Sequence, residues 1–203
     1  VGASLMGKAY LIALVLLAFG CSPDQSPIPN TPGGTEDVIL PLQTGNLWIL
    51  RVTEVDTDHL FVSASVDSLS IVRDTALGTG STWYIDQAGD TMQNRLDGLW
   101  KMAGGVPALY LKYPASLNDS ATLVQAGQRV SVKIFAAGQL VTVHAGQFIC
   151  VAYRTTRLTD RRVVREDFYS PGYGPVLGLV YDTTRGGRSY QRYNIELAAW
   201  QVR

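Results

Sequence analysis

Apolar and polar residues alternate one by one along much of this chain. Val62, Ala64 and Val66 are interleaved with Ser63, Ser65 and Asp67, and Val130, Val132 and Ile134 with Ser131 and Lys133. Trp48, Leu50 and Val52 follow the same rule, as do Tyr193, Ile195, Leu197 and Ala199 against Arg192, Asn194 and Glu196. A period of two places successive side chains on opposite faces of an extended backbone, so each run reads as a half-buried strand. Turn-forming groups stand between the runs: Thr44-Gly45-Asn46, Gln87-Ala88-Gly89-Asp90, Asp97-Gly98, Asn118-Asp119, Gln125-Ala126-Gly127, Ala137-Gly138 and Arg185-Gly186-Gly187. Hairpins are expected at each. No persuasive 3.6-residue apolar period follows Cys21, which disfavours a doubly wound α/β domain. The predicted class is all-β, an antiparallel and strongly curved sheet forming a half-barrel or a barrel, with a β-sandwich as the alternative. Leu42-Gln43-Thr44-Gly45-Asn46-Leu47-Trp48 and Val124-Gln125-Ala126-Gly127-Gln128-Arg129-Val130 share a pattern and raise the alternative of two related halves.

The amino-terminal segment carries an address rather than fold information. Met6-Gly7-Lys8 precedes an apolar run of 11 residues, Ala9 to Phe19, which ends in Gly20-Cys21. Crossing roughly 30 Å of hydrocarbon takes about 20 apolar residues, so this run is too short to span, and Ser22-Pro23-Asp24 ends it. Leu17-Ala18-Phe19-Gly20-Cys21 resembles the lipobox of bacterial lipoprotein signal peptides, with Ala18 where leucine is usual. That resemblance implies cleavage before Cys21 and lipid on its thiol. At about 0.8 kcal/mol per buried CH₂, two or more acyl chains hold a protein to a bilayer. Ser22 resembles the residue found there in lipoproteins destined for the outer membrane, which implies a position facing the periplasm or the cell surface. Residues 22 to 36 contain Pro23, Pro27, Pro29, Pro32 and Gly33-Gly34, and are expected to be a tether reaching some tens of Å. The expected organisation is a signal peptide at 1–20, a lipidated cysteine and tether at 21–36, and one antiparallel β domain at 37–203.

Charge limits the partners. The 17 basic and 17 acidic side chains cancel, which removes the electrostatic case for nucleic acid. They are unevenly distributed: residues 1–120 carry 6 basic and 12 acidic groups, and residues 121–203 carry 11 and 5. Arg154, Arg157, Arg161, Arg162 and Arg165 cluster around Thr159-Asp160, which reads as the tip of a long hairpin. Arg157, Arg161 and Arg162 are the candidate contacts for anionic headgroups or an acidic partner. The competing reading is a solvated hairpin balanced by Asp160, Glu166 and Asp167.

Reactive chemistry is hard to find. His59 and His144 stand in no metal-ligand spacing, so no metal and no cofactor are expected. Asp56-Thr57-Asp58-His59 lacks the glycine and distal glutamate of a calcium loop and reads as a hairpin tip. Cys150, in Phe148-Ile149-Cys150-Val151-Ala152, reads as a small buried hydrophobe without a neighbouring base. No Gly-x-Ser-x-Gly elbow is present, and Pro175 removes a donor from Gly172-Tyr173-Gly174-Pro175 that a phosphate-cradling loop would need. No catalytic residues are assigned. The tyrosines Tyr153, Tyr169, Tyr173, Tyr181, Tyr190 and Tyr193 read either as the lining of a concave ligand surface or as cross-strand pairs.

Three segments, in order, resemble a group of exported bacterial lipoproteins without an established activity. Pro41-Leu42-Gln43-Thr44-Gly45-Asn46-Leu47-Trp48 resembles the group's Pro-Leu-x-x-Gly-Asn-x-Trp. Val143-His144-Ala145-Gly146-Gln147-Phe148-Ile149-Cys150 is similar to its Val-x-Pro-Ala-Gly-Thr-Phe segment, with His144 and Gln147 replacing proline and threonine. Tyr169-Ser170-Pro171-Gly172-Tyr173-Gly174-Pro175-Val176 resembles its Tyr-x-Pro-Gly-Val-Gly-x-Val, with Tyr173 for valine. The resemblance implies a β-rich lipoprotein domain and brings no catalytic or ligand residues. The expected function is therefore a noncatalytic envelope lipoprotein that binds a protein partner or supports envelope organisation. Alternatives are a carrier or sensor of a lipid or other apolar molecule in the curled sheet and, less favoured, a hydrolase.

Overall fold

The computed structural model describes residues 37–77 and 80–203, so the predicted signal peptide, Cys21 and tether lie outside the described residues. Twelve strands follow one another: β1 (Leu47–Val55), β2 (Phe61–Leu77), β3 (Ser81–Asp86), β4 (Thr91–Arg95), β5 (Gly98–Ala103), β6 (Val106–Lys112), β7 (Ser120–Gln125), β8 (Gln128–Val143), β9 (Gly146–Arg157), β10 (Val163–Ser170), β11 (Gly174–Thr183) and β12 (Ser189–Gln201). The alternating runs predicted around residues 48, 62, 130 and 193 lie in β1, β2, β8 and β12. Every ladder is antiparallel, and the strand order is β6-β5-β4-β3-β2-β1-β12-β11-β10-β9-β8-β7. Consecutive strands are neighbours, and the first strand pairs with the last, Trp48 opposite Trp200 and Val52 opposite Ile195. The result is an up-and-down sheet closed at β1/β12 and left without a ladder only between β6 and β7.

That seam is held by other means. Strands β6 and β7 come within 8 Å of each other. The Tyr153 hydroxyl donates to the Lys112 carbonyl at 3.0 Å, and Lys112 pairs with Asp119 at 3.1 Å. The connecting segment bonds to β8 through the Asn118 amide and the Ile134 carbonyl, 3.0 Å, and through the Ile134 amide and the Asp119 carbonyl, 2.8 Å. Near closure removes most of the unpaired backbone that an open sheet would present.

Because turns alternate between the two ends of a meander, the molecule has two distinct ends. At one, the segment ahead of β1 packs its buried Ile39 and Leu40 into the core. It is anchored there by Gly172 N–H to the Val38 carbonyl (2.8 Å) and Asn94 Nδ2 to the Leu40 carbonyl (2.8 Å). Asn46, fully buried, donates to the Pro41 carbonyl and accepts from the Arg203 amide, which ties the segment to the end of β12. Trp48 fills this end and donates Nε1–H to the Tyr173 carbonyl at 2.5 Å. Phe148, Tyr173 and Trp200 meet edge to face, with centroids 5.4–6.1 Å apart, a favourable arrangement for ring quadrupoles. Gly174 lies at φ +95°, and a Cβ there would sit 2.9 Å from Leu40 and from Trp48, so this corner admits only glycine.

Two expectations are corrected, and two of the turn groups join no hairpin: Thr44-Gly45-Asn46 precedes β1, and Asn118-Asp119 lies in the β6–β7 connection, which has no ladder. Ala137-Gly138 is not a hairpin turn: β8 runs unbroken from Gln128 to Val143, and the register shifts between Ala137 and Gln139, where Gly138 takes φ +74°. A bulge of this kind needs the same left-handed backbone as a turn, which is why the two look alike in sequence. Nor is the Val62–Val66 run half-buried, since residues 61–67 are exposed throughout. The physical reason is positional: β3 pairs with β2 only across Ile71–Leu77, leaving the first half of β2 attached to β1 alone. The echo between residues 42–48 and 124–130 is one of turn chemistry. Gly45 and Gly127 both have positive φ, +92° and +75°, but the first lies ahead of β1 and the second in the β7–β8 hairpin.

Candidate functional site

The predicted tip arginines occupy the end opposite to Val38. Strands β9 and β10 are joined at residues 158–162, closed by the Arg157 amide donating to the Arg162 carbonyl at 2.8 Å. Arg161 sits at the apex with φ +59° and has no ion-pair partner among the described residues. Asp160 serves both flanking arginines, 3.4 Å from Arg157 and 3.6 Å from Arg162, and accepts the Arg162 amide at 3.2 Å. One carboxylate therefore pairs with two of the three guanidinium groups.

The topology enlarges this patch. A Cβ on Gly187 would lie 3.5 Å from an Arg162 guanidinium nitrogen, so the β9–β10 tip abuts the β11–β12 turn. That turn carries Arg185 and Arg188 and is held by the Thr184 amide on the Arg188 carbonyl, 2.9 Å. Below it, Arg192 bridges Asp182 at 2.9 Å and Glu54 at 3.2 Å. The Thr183 amide and then Arg192 hold the Asp182 carboxyl below its ordinary range. Arg157, Arg161 and Arg162 thus come together with Arg185 and Arg188, which sequence spacing alone could not join.

A second charged group lies in the interior. Arg165 Nε donates to both carboxylate oxygens of Asp167, at 2.7 and 2.8 Å, and Asp167 is buried. Asp167 was expected to be a solvated counterion for the hairpin. It is instead sequestered two residues along β10 from Arg165, where the pleat puts both side chains on one face. Glu166, on the other face, pairs with Arg154 at 2.7 Å and accepts from the Tyr181 hydroxyl at 3.0 Å. Gly178 on β11 makes room for the buried pair, since a Cβ would come within 3.3 Å of Asp167 Oδ1. Burial raises the Asp167 carboxyl above its usual range, with Arg165 offsetting part of that. Burial, reinforced by the Asp167 charge, pushes the Tyr110 phenol up to about 12. Tyr169 and Tyr153, ring centroids 6.1 Å apart, are also raised by burial. These phenols stay neutral at physiological pH and act as packing and hydrogen-bonding groups. An Arg-x-Asp step within a strand, opposite a glycine strand position, is the signal that could have revealed the pair.

Among the described residues, neither histidine is hydrogen-bonded to the cysteine. Cys150 is buried, its thiol pushed up to about 12 by that burial, with Sγ 3.8 Å from the Phe148 carbonyl. His59 lies in the β1–β2 turn and His144 in the β8–β9 turn, at opposite ends of the sheet. Among the described residues, no three His, Cys, Asp or Glu side chains gather in a metal-holding group. A cleft of about 550 Å³ opens beside Asp37 and Val38, walled by Asn94–Leu96 and Tyr113–Pro114. Arg95 at its edge stacks over Trp100, 4.2 Å from the ring centroid.

No family model and no curated protein matches this sequence. Among solved structures, the chain is similar to a Bacteroides fragilis protein described by its inferred export and its YmcC-like fold. The two share 14% identity over 80% of this chain and 98% of that one, with a TM-score of 0.45.

Proposed function

We propose that this chain is an exported envelope lipoprotein, held to a membrane by acyl chains on Cys21, whose β domain binds a protein partner with an acidic surface and catalyses no reaction. The observation that carries the partner reading is the separation of the two ends. The described chain enters at Asp37–Val38, beside the Tyr173 corner, whereas Arg157, Arg161, Arg162, Arg185 and Arg188 crown the other end. At about 3.3 Å per residue, the 12 residues of β9 span roughly 40 Å. A domain tethered through residues 21–36 therefore carries its arginines at the end farther from its point of attachment, where they can meet a partner in the aqueous compartment. The aromatic-filled interior at Trp48 and Phe148, with the partly buried Trp200 packed against them, favours surface recognition over sheltering an apolar molecule.

The test has two arms. Metabolic labelling with a fatty acid should mark the wild-type chain and not Cys21→Ser. A photo-crosslinking residue at position 159, exposed in the same tip, should capture one defined envelope protein in the cells of origin. Reversal at R161E and R162E together should remove the capture while the melting temperature stays near wild type, because exposed charges of this kind contribute little to stability. Capture that survives the reversal would end the partner reading.

A further inference from the structure

The first half of β2 has a free edge. Its inner edge pairs with β1 from Leu47↔Ser70 to Val55↔Phe61, but β3 begins its pairing only at Ile71. Just before that point Gln87 covers the backbone, its amide on the Ser70 carbonyl at 3.0 Å and its side-chain nitrogen on the Ser68 carbonyl. The carbonyls of Ser68 and Ser70 therefore point away from β1, and by alternation the amides and carbonyls of Ala64 and Val66 do too. Among the described residues no strand receives them. The usual protections of an edge are sparse here: there is no proline and no lysine between Phe61 and Asp67, and the register shift lies at the far end, opposite Glu54/Val55. Val62 and Val66 are 54% and 74% exposed.

The sequence of this edge is a palindrome, Val62-Ser63-Ala64-Ser65-Val66. We propose that two copies of this chain associate by antiparallel pairing of these edges about a two-fold axis through Ala64. In that register Ala64 faces Ala64 of the second copy and each Val62 faces a Val66, which builds a continuous apolar strip. The outward-pointing backbone groups of Ala64 and Val66 fall on hydrogen-bonding positions. Serines meet serines on the other face. The first charge, Asp67, lies opposite Phe61, so no like charges oppose each other, a pairing that would be destabilising. Two-fold symmetry requires a self-complementary patch, and a palindromic free strand supplies one. A ladder of about five residues buries less than the roughly 1,200 Å² of a stable interface, so the dimer is a concentration-dependent one.

Cysteine trapping of the full chain in cells tests the register. Opposed residues at a hydrogen-bonded position have Cα atoms about 5.5 Å apart, within the range that a disulfide accepts. Under mild oxidation, A64C should give a covalent dimer on a nonreducing gel. V66C alone should give no more dimer than the unsubstituted chain, and the double variant V62C/V66C should restore it. Equal yields from A64C and V66C would mean random collision and overturn the proposal. So would A64C that stays monomeric, or that is trapped to a protein of different mass.

Discussion

At the scale of single residues, the Arg165–Asp167 pair is the most consequential feature. Its two members are unequally exposed: 37% of the Arg165 side chain meets solvent, against 5% for Asp167. Removing Asp167 leaves a guanidinium that can turn to water, whereas removing Arg165 strands a carboxylate among Tyr110, Tyr153 and Tyr169. Arg165→Ala is therefore expected to be the costlier change, approaching the roughly 3–5 kcal/mol seen when a buried pair loses one partner, with Asp167→Asn below it. The pH dependence identifies the cause. An aspartate whose folded pKa is raised binds its proton more tightly folded than unfolded, so stability falls as pH rises from the ordinary value of 3.8 through the folded pKa. Without Arg165 the folded pKa rises further, and the deficit of R165A should shrink as pH is lowered toward 3.8. Urea titrations of both variants at several pH values check this; a deficit independent of pH would locate the loss in packing.

At the scale of elements, legibility followed burial. Strand β8 was readable because one face meets the core and the other water, which imprints the alternation, whereas in β1 and β12 only Trp48 and Leu197 are buried and the alternation is one of residue type more than of burial. The long tip at residues 158–162 was readable because its arginines are contiguous. Strand β2 shows where the pattern misleads: Val62, Ala64 and Val66 alternate as if over a core, yet what they record is the outer face of an edge. Nor could spacing show that the β11–β12 turn joins the arginine tip, since that depends on which turns share an end of the meander. Gly138 offers a direct measure of the bulge that was read as a turn. Nothing lies within 4 Å of a Cβ built there, so Gly138→Ala meets no clash and bears only the left-handed backbone at φ +74°. The expected loss is about 1–2 kcal/mol, with the sheet intact by circular dichroism. A loss several times larger would mean that β8 and β9 cannot hold their register past the bulge.

At the scale of the whole molecule, the closure between the first and last strands and the unladdered seam make opposite demands on connectivity. Pairing β1 with β12 joins residues about 150 apart in sequence, a long-range contact that must form without help from a short turn. Between β6 and β7 the chain is continuous but no ladder is at stake. The native ends of the described domain meet at one place: Arg203 bonds to Asn46, and Val38 bonds to Gly172 next to Tyr173, whose ring touches Trp200. A circular permutant can exploit both facts. With Arg203 joined to Asp37 by a flexible Gly/Ser linker, and new ends opened between Ser116 and the exposed Leu117 so that the Asn118 amide bond is kept, the β1/β12 pairing becomes local while every ladder is kept. This permutant is expected to melt in one cooperative transition with native far-ultraviolet dichroism. A second permutant opened in the β8–β9 turn at 144–145 breaks the connection between two long laddered strands and loses the Ala145 amide bond to the Leu197 carbonyl, 3.1 Å. It should be clearly less stable than the first. If instead the seam permutant fails to fold while the turn permutant melts normally, then the 113–119 connection organises the closure, and the sheet is held at β6/β7 more strongly than at β1/β12.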